Sequence, residues 1–197
     1  MLGKQAKVLS GAQIKAVLAY LDTGRNSKRD RVIFLLSLHG LRAKEISSLE
    51  ISMITDADGN VTDSISLEDK ASKGKSGRII PMNKQLRGAL ADWLSVAQRH
   101  RTKYVICTER SEKFSGNGVV VWFRKLYKSL GFEGASSHSG RRTFLTQCAR
   151  NISRAGGSIR DVMALAGHKH LSTTQRYVDQ NSDAQRTLLN TIYTNIG

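Results

Sequence analysis

Cysteine, proline, acidic side chains and long apolar runs are all scarce in this chain. Its two cysteines, Cys107 and Cys148, lie far apart and outside any Cys-x-x-Cys pair, which excludes a disulfide framework or zinc ribbon and leaves both as expected core residues. One proline and scattered glycines mark no interdomain linker, and no internal repeat or low-complexity block is present. No apolar run reaches membrane-spanning length, and residues 1–9 are too short and polar for a secretory signal. The expectation is a cytoplasmic chain with no membrane partner. Only 16 Asp and Glu stand against 31 Lys and Arg, a net charge of +15. Such a surface favours a polyanion through counterion release, and nucleic acid fits best, although charge alone decides little.

What is present is enough for one good core. With 197 residues, 40% of them hydrophobic, a single domain over 1–197 is expected. Ser10 can cap a helix whose apolar positions are Ile14, Val17, Leu18 and Leu21, with Gly24 as its stop. Ser27 and Asp30 resemble a capping box that opens a very apolar segment, Val32 to Leu38, ended by Gly40. This reads as a buried central helix. Residues 43–49 suit a short helix, and 51–55, 61–67 and 77–81 read as strands separated by turns at Asp58-Gly59 and Lys73-Gly74. Asn83 caps a helix through about His100, and 117–130 is helical until Gly131. Ser137, Ser158 and Ser172 are candidate caps for 138–154, 159–166 and 173–179, and Leu188, Leu189 and Ile192 mark a last amphipathic segment. The fold class is mainly α with one small antiparallel β-sheet.

Breaking a phosphodiester without metal or nucleotide demands a nucleophile, cations for the non-bridging oxygens and an acid for the leaving oxygen. Four segments concentrate suitable residues: His39-Gly-Leu-Arg-Ala-Lys-Glu45, Lys73-Gly-Lys-Ser-Gly-Arg78, His138-Ser-Gly-Arg-Arg142 and Leu165-Ala-Gly-His-Lys-His-Leu-Ser-Thr-Thr-Gln-Arg-Tyr177. In order and spacing they resemble the catalytic domain of the tyrosine recombinase, or phage integrase, family. That family shows Gly-Leu-Arg-x-x-Glu, a hairpin Lys, His-x-x-Arg, and Gly-His followed nine residues later by Tyr, all matched here between about residues 8 and 182.

The resemblance implies roles for particular side chains. Arg42 and Arg141 match the arginines that grip the scissile phosphate, a task suited to planar, permanently charged donors. Lys73 matches the hairpin lysine that protonates the leaving oxygen, with Lys75 as its rival. His138 and His168 match two histidines that hydrogen-bond the phosphate and accept or relay the phenol proton. Tyr177 matches the nucleophile. A phenol ionises near pH ~10, so its attack requires the field of Arg42, Arg141 and Lys73. Glu45 is expected to buttress Arg42 or a helix end, while Lys44, Lys70, Lys75, Arg78 and Arg142 are expected DNA contacts. Arg142 departs from the His often found there. The other tyrosines, Tyr20, Tyr104, Tyr127 and Tyr193, lack matching neighbours and read as packing residues.

The implied function is site-specific DNA recombination through a 3′-phosphotyrosine intermediate. It needs no cofactor and no metal, acts on double-stranded DNA as a homotetramer on paired sites, with or without accessory DNA-bending proteins, and is DNA-associated, at the nucleoid in a bacterium. No separate amino-terminal core-binding domain is expected, as in small members resembling the fimbrial-switch invertases. Alternatives remain: a basic helical DNA-binding regulator has no need of Tyr177 beside His168, and a type IB topoisomerase uses similar residues. A phosphate-binding loop at Gly74-Lys75-Ser76 is excluded by Asp69, where a glycine is required. His168 and His170 without Cys or acidic company make a poor zinc site, and the scattered carboxylates do not suit two-metal chemistry.

Overall fold

The computed structural model describes residues 6–72, 76–97, 102–175 and 177. Its elements are α1 (Gly11–Asp22), α2 (Ser27–Leu38), α3 (Ala43–Ser48), β1 (Ser64–Leu67), β2 (Arg78–Pro81), α4 (Lys84–Ala97), α5 (Gly116–Ser129), α6 (Ser139–Asn151), α7 (Ile159–Ala166) and α8 (Leu171–Gln175). The mainly helical architecture with a small antiparallel sheet follows the apolar periodicity. Ser10 caps α1 through a full capping box with Gln13, Asn83 Oδ1 accepts from the Leu86 amide at the start of α4, and Ser158 with Asp161 caps α7.

Helix α2 is the centre of the core. Val32, Ile33, Phe34, Leu35 and Leu36 are each at most 2% exposed, and α1, α3, α4 and α6 all pack against the helix. Burying each such side chain contributes roughly 1.5–3 kcal/mol. A smaller cluster of Leu145, Val162 and Ala166 joins α6 to α7 and is packed by Phe144, Ile159 and Tyr177. Cys107 belongs to the main core, whereas Cys148 is only half-buried beside the smaller cluster.

Several local expectations give way to competing polar contacts. Residues Ile51–Met53 form a 3-10 turn instead of a strand, with only Thr55 bridging to Val61. The reason is side-chain capture: Asp56 Oδ1 accepts from the amides of Asp58 and Asn60, and Thr55 Oγ1 donates back to the Ile51 carbonyl. The sheet is therefore two-stranded, β1 against β2, with Leu67 opposite Arg78. The Ser27–Asp30 capping box does not form, because Asn26 is the N-cap and Asp30 accepts from Arg29 Nε instead. Helix α6 has His138, not Ser137, at its N-cap, and α8 begins at Leu171, before Ser172. Tyr20 is 45% exposed, so it is not a packing residue, whereas Tyr127 is buried. Residues 98–101, Tyr193 and the segment with Leu188, Leu189 and Ile192 lie outside the described residues.

Two glycine-terminated helices set up the region of interest. At the end of α2, the Gly40 amide donates to the Ser37 carbonyl and the Leu41 amide to the Leu36 carbonyl, with Gly40 at φ +88°. This is a Schellman motif, which needs a left-handed residue. The end of α7 repeats it, with Gly167 at φ +59° and the His168 amide donating to the Met163 carbonyl. Arg42 and His168 thus each follow a helix stop. A Cβ on Gly40 lies 2.7 Å from Phe144 Cδ1, and the positive φ adds strain of roughly 1–3 kcal/mol for any other residue. Gly40→Ala is expected to lower Tm by several degrees in thermal unfolding followed by circular dichroism; an unchanged Tm would contradict this account of the turn.

Candidate active site

Arg42 is the N-cap of α3. Its amide and its Nη1 both donate at 2.8 Å to Glu45, which is fully buried. Arg78, at the start of β2, donates at 3.1 Å through Nη1 and Nη2 to the same carboxylate, and through Nε at 2.9 Å to the Leu165 carbonyl. Burial alone raises the Glu45 pKa, but hydrogen bonds and charge from Arg78 and Arg42 overcome it and hold the carboxyl below its usual range. Glu45 is therefore ionised and clamped between two guanidinium groups. The expectation of an exposed DNA contact at Arg78 does not suit its position, because its side chain is 5% exposed. It ties β2 to α3 and to the end of α7.

Arg141 lies in the first turn of α6 and is buried. Its Nη1 donates to the Gly40 carbonyl, and its Nη2 donates to the Ala166 carbonyl at 2.6 Å and lies 3.1 Å from His168 Nε2. The Ala166 acceptor is the last carbonyl of α7, which lacks an intrahelical partner and carries the negative end of the helix dipole, and the Gly40 acceptor lies in the left-handed turn that closes α2. They offset the cost of burying a cation. Burial, then the charge of Arg42, lowers the Arg141 pKa to about 9, so the group stays charged at neutral pH.

His168 completes the cluster. Its ring lies near-parallel to that of Tyr177, centroids 6.1 Å apart, and its Nδ1 is 2.9 Å from Thr174 Oγ1. Tyr177 follows α8, its amide donating to the Thr174 carbonyl at 3.0 Å. Burial, reinforced by Arg141, Arg42 and Arg78, lowers the His168 pKa to about 4 from 6.5. The unfolded chain then binds the extra proton between those values, so stability falls as pH drops from about 6.5 to about 4. A His168→Gln variant is expected to lose this part of the acid dependence in urea titrations. Identical slopes for the two proteins would disprove the neutral, buried imidazole.

The other expected residues are placed less centrally. His138 is exposed at the N-cap of α6, three residues before Arg141. Lys44 is exposed, Lys70 pairs with Glu50 and Glu68, and Arg142 is half-buried with its Nε unpartnered among the described residues. Lys73 and Lys75 lie outside the described residues. Sequence reasoning named Arg78 only as a DNA contact, not as the strut on Glu45, and did not single out Thr174 at all. Arg78 carried a signal, since a lone arginine opening an apolar strand has to find an acid.

A mainly helical core, a two-stranded sheet and this meeting of Arg141, His168 and Tyr177 define the catalytic-domain fold of a tyrosine recombinase. The chain belongs to the phage integrase family, whose model matches residues 7–184. It is 29% identical to tyrosine recombinase XerD of Lacticaseibacillus casei over 86% of this chain and 57% of that protein. Tyrosine recombinase XerA of Thermococcus kodakarensis is 28% identical over 87% of this chain and 57% of its own length. The chain thus spans under two thirds of these relatives. Among solved structures, the crystal structure of XerA recombinase superposes with a TM-score of 0.71 and 25% identity, over 93% of this chain and 64% of that one. The Tn1549 transposon integrase, in complex with a circular intermediate DNA, shares the fold with a TM-score of 0.75 and 18% identity, over 95% of this chain and 66% of that one. Among the described residues, no helix is long and apolar enough to cross a membrane.

Proposed function

We propose that this chain is the catalytic unit of a site-specific DNA recombinase that cuts and rejoins strands through a bond to Tyr177. What carries the reading is the contact of Arg141 with His168, the ring of Tyr177 lying against that histidine, and Arg42 acting electrostatically on both Arg141 and His168. Membership of the phage integrase family supports it.

In this reading the Tyr177 oxygen attacks a DNA phosphorus and the bond from phosphorus to the 5′-oxygen breaks. Arg42 and Arg141 hold the non-bridging oxygens as negative charge grows there. His138 or His168 takes or relays the phenol proton, and Lys73 or Lys75 protonates the leaving oxygen. A 5′-hydroxyl of another strand then attacks the 3′-phosphotyrosine and frees Tyr177. One phosphoester replaces another at each step, so neither ATP nor a cofactor is consumed.

Glu45 and Arg78 support Arg42 from behind. Lys44, Lys70 and Arg142 are offered as contacts to the DNA backbone, which fix register but carry no sequence information. Two rounds of exchange need four protomers on paired sites, so a homotetramer on DNA is the proposed assembly, with accessory bending proteins as optional partners and the cytoplasm as its setting.

The test uses a pool of random-sequence duplexes nicked near the centre, so that the short fragment released by cleavage diffuses away. With chelator present and ATP absent, a detergent-resistant adduct carrying a nucleotide on Tyr177, mapped by mass spectrometry, is expected. Salt-sensitive binding without adduct would favour the DNA-binding regulator instead.

A further inference from the structure

His168 sits between two hydrogen bonds that fix its tautomer. A guanidinium only donates, so Arg141 Nη2, 3.1 Å away, makes His168 Nε2 an acceptor. In the neutral ring the proton is then on Nδ1, which donates to Thr174 Oγ1 at 2.9 Å. The groups around the ring are Arg141 on α6, Arg42 ahead of α3, Arg78 on β2 and Tyr177 after α8. Three are cations, so burial and charge together keep the imidazole uncharged.

In the reaction proposed above, on which the inference rests, this tautomer can take the phenol proton at Nε2, but a hydrogen bond from His168 to the phosphate needs the other one. A phosphate oxygen is an acceptor, so a neutral histidine stabilises it only by presenting Nε2–H. Once Arg141 turns to the phosphate, the proton has to sit on Nε2, and Nδ1 becomes an acceptor. A carbonyl or carboxylate beside Nδ1 forbids that state, because neither donates. A hydroxyl both donates and accepts, and rotation about one bond suits it to either tautomer. Thr174 is 0% exposed, so water does not compete for its hydroxyl. Its carbonyl also accepts from the Tyr177 amide at 3.0 Å, which places the ring and the turn bearing the phenol on one residue.

We propose that Thr174 is a positioning residue that holds the His168 ring through Nδ1 in either tautomer, so that Nε2 passes from accepting the Arg141 hydrogen bond to donating one to the phosphate. The exchange is proton-neutral: water delivers a proton to Nε2, the Nδ1 proton passes to water while the bond to Thr174 is open, and the ring begins and ends uncharged.

Thr174→Val keeps the shape and removes the hydroxyl, and Thr174→Ser restores it. On the nicked duplex pool, the Val variant is expected to form adduct about tenfold to a hundredfold more slowly at saturating DNA, the range seen when outer partners of metal-bound histidines are lost. Its DNA affinity should not change, and Ser should recover the rate to within about threefold on that same scale. Nitrogen-15 NMR of the imidazole, without DNA, provides a second readout. A protonated Nδ1 and an acceptor Nε2 are expected in wild type and Ser, and a changed Nδ1 signal in Val. A Val variant that cleaves at the wild-type rate, a Ser variant as slow as Val, or a wild-type ring protonated on Nε2 without DNA would each overturn the proposal. If wild-type protein forms no adduct at all, the recombinase reading fails, while the NMR still decides whether Thr174 holds the ring.

Discussion

Tyr177→Phe is expected to abolish covalent adduct formation while leaving fold and DNA affinity intact. Only one oxygen is removed. The ring packs against Leu145, Val162 and Ala166 and lies against His168, contacts that phenylalanine reproduces. The amide bond to Thr174 is untouched. Binding, carried largely by salt-dependent phosphate contacts, should therefore match wild type in titrations at several salt concentrations. Adduct yield should fall by roughly four orders of magnitude or more, as when a covalent nucleophile is deleted from other enzymes. Tyr20→Phe and Tyr104→Phe serve as controls, since Tyr20 is exposed and Tyr104 is occupied by Lys103 and Lys113 over its ring. Wild-type adduct from Tyr177→Phe, or its loss in either control, would put the nucleophile elsewhere.

The elements that frame this site were legible where one local signal dominates. Gly40 stops its helix because only left-handed backbone closes that turn, and Arg42 lies two residues beyond it; Gly167 closes the 159–166 helix in the same way, directly ahead of His168. The apolar run of α2 has no soluble alternative to a central position. Residues 51–55 failed the same kind of reading, because the Asp56 side chain competes for the backbone just after them. Period-two apolarity says nothing of such capture. Within the site, the family resemblance carried by the motifs of Arg42, Arg141, His168 and Tyr177 pointed to a constellation, and the geometry joins Arg141, His168 and Tyr177 directly. The partnership of Arg78 with Glu45 spans 33 positions, and the acceptance of Arg141 by Gly40 spans 101. No local pattern encodes pairings of that range; they exist only once α2, α6, α7 and the hairpin are packed. Thr174 was hidden for a different reason: a threonine between two serine or threonine neighbours and a glutamine reads as an ordinary helix start.

The second large effect concerns the two arginines, which the geometry predicts to fail in different ways. Arg42 is 24% exposed, and its partner Glu45 keeps a second cation in Arg78 if Arg42 is lost. Arg42→Ala should therefore fold with a modest fall in Tm and lose cleavage. Arg141 is buried and satisfies the carbonyls of Gly40 and Ala166. Leaving a buried polar group unpaired costs about 1–3 kcal/mol, and Arg141→Ala abandons two, so this variant should lose several kcal/mol of stability with its activity. Arg141→Lys separates the effects. It keeps a positive charge and one possible carbonyl contact, so most of the fold should survive. A single ammonium cannot fork between Gly40, Ala166 and a phosphate oxygen, and single-turnover adduct formation should drop by roughly 10²–10³-fold, the range for losing one preorganised donor to a developing oxyanion. Duplex affinity should change much less. If Arg141→Lys formed adduct at a near-normal rate with unchanged affinity, the guanidinium fork would have no part in the chemistry, and Arg141 would be left as a staple between two helix ends.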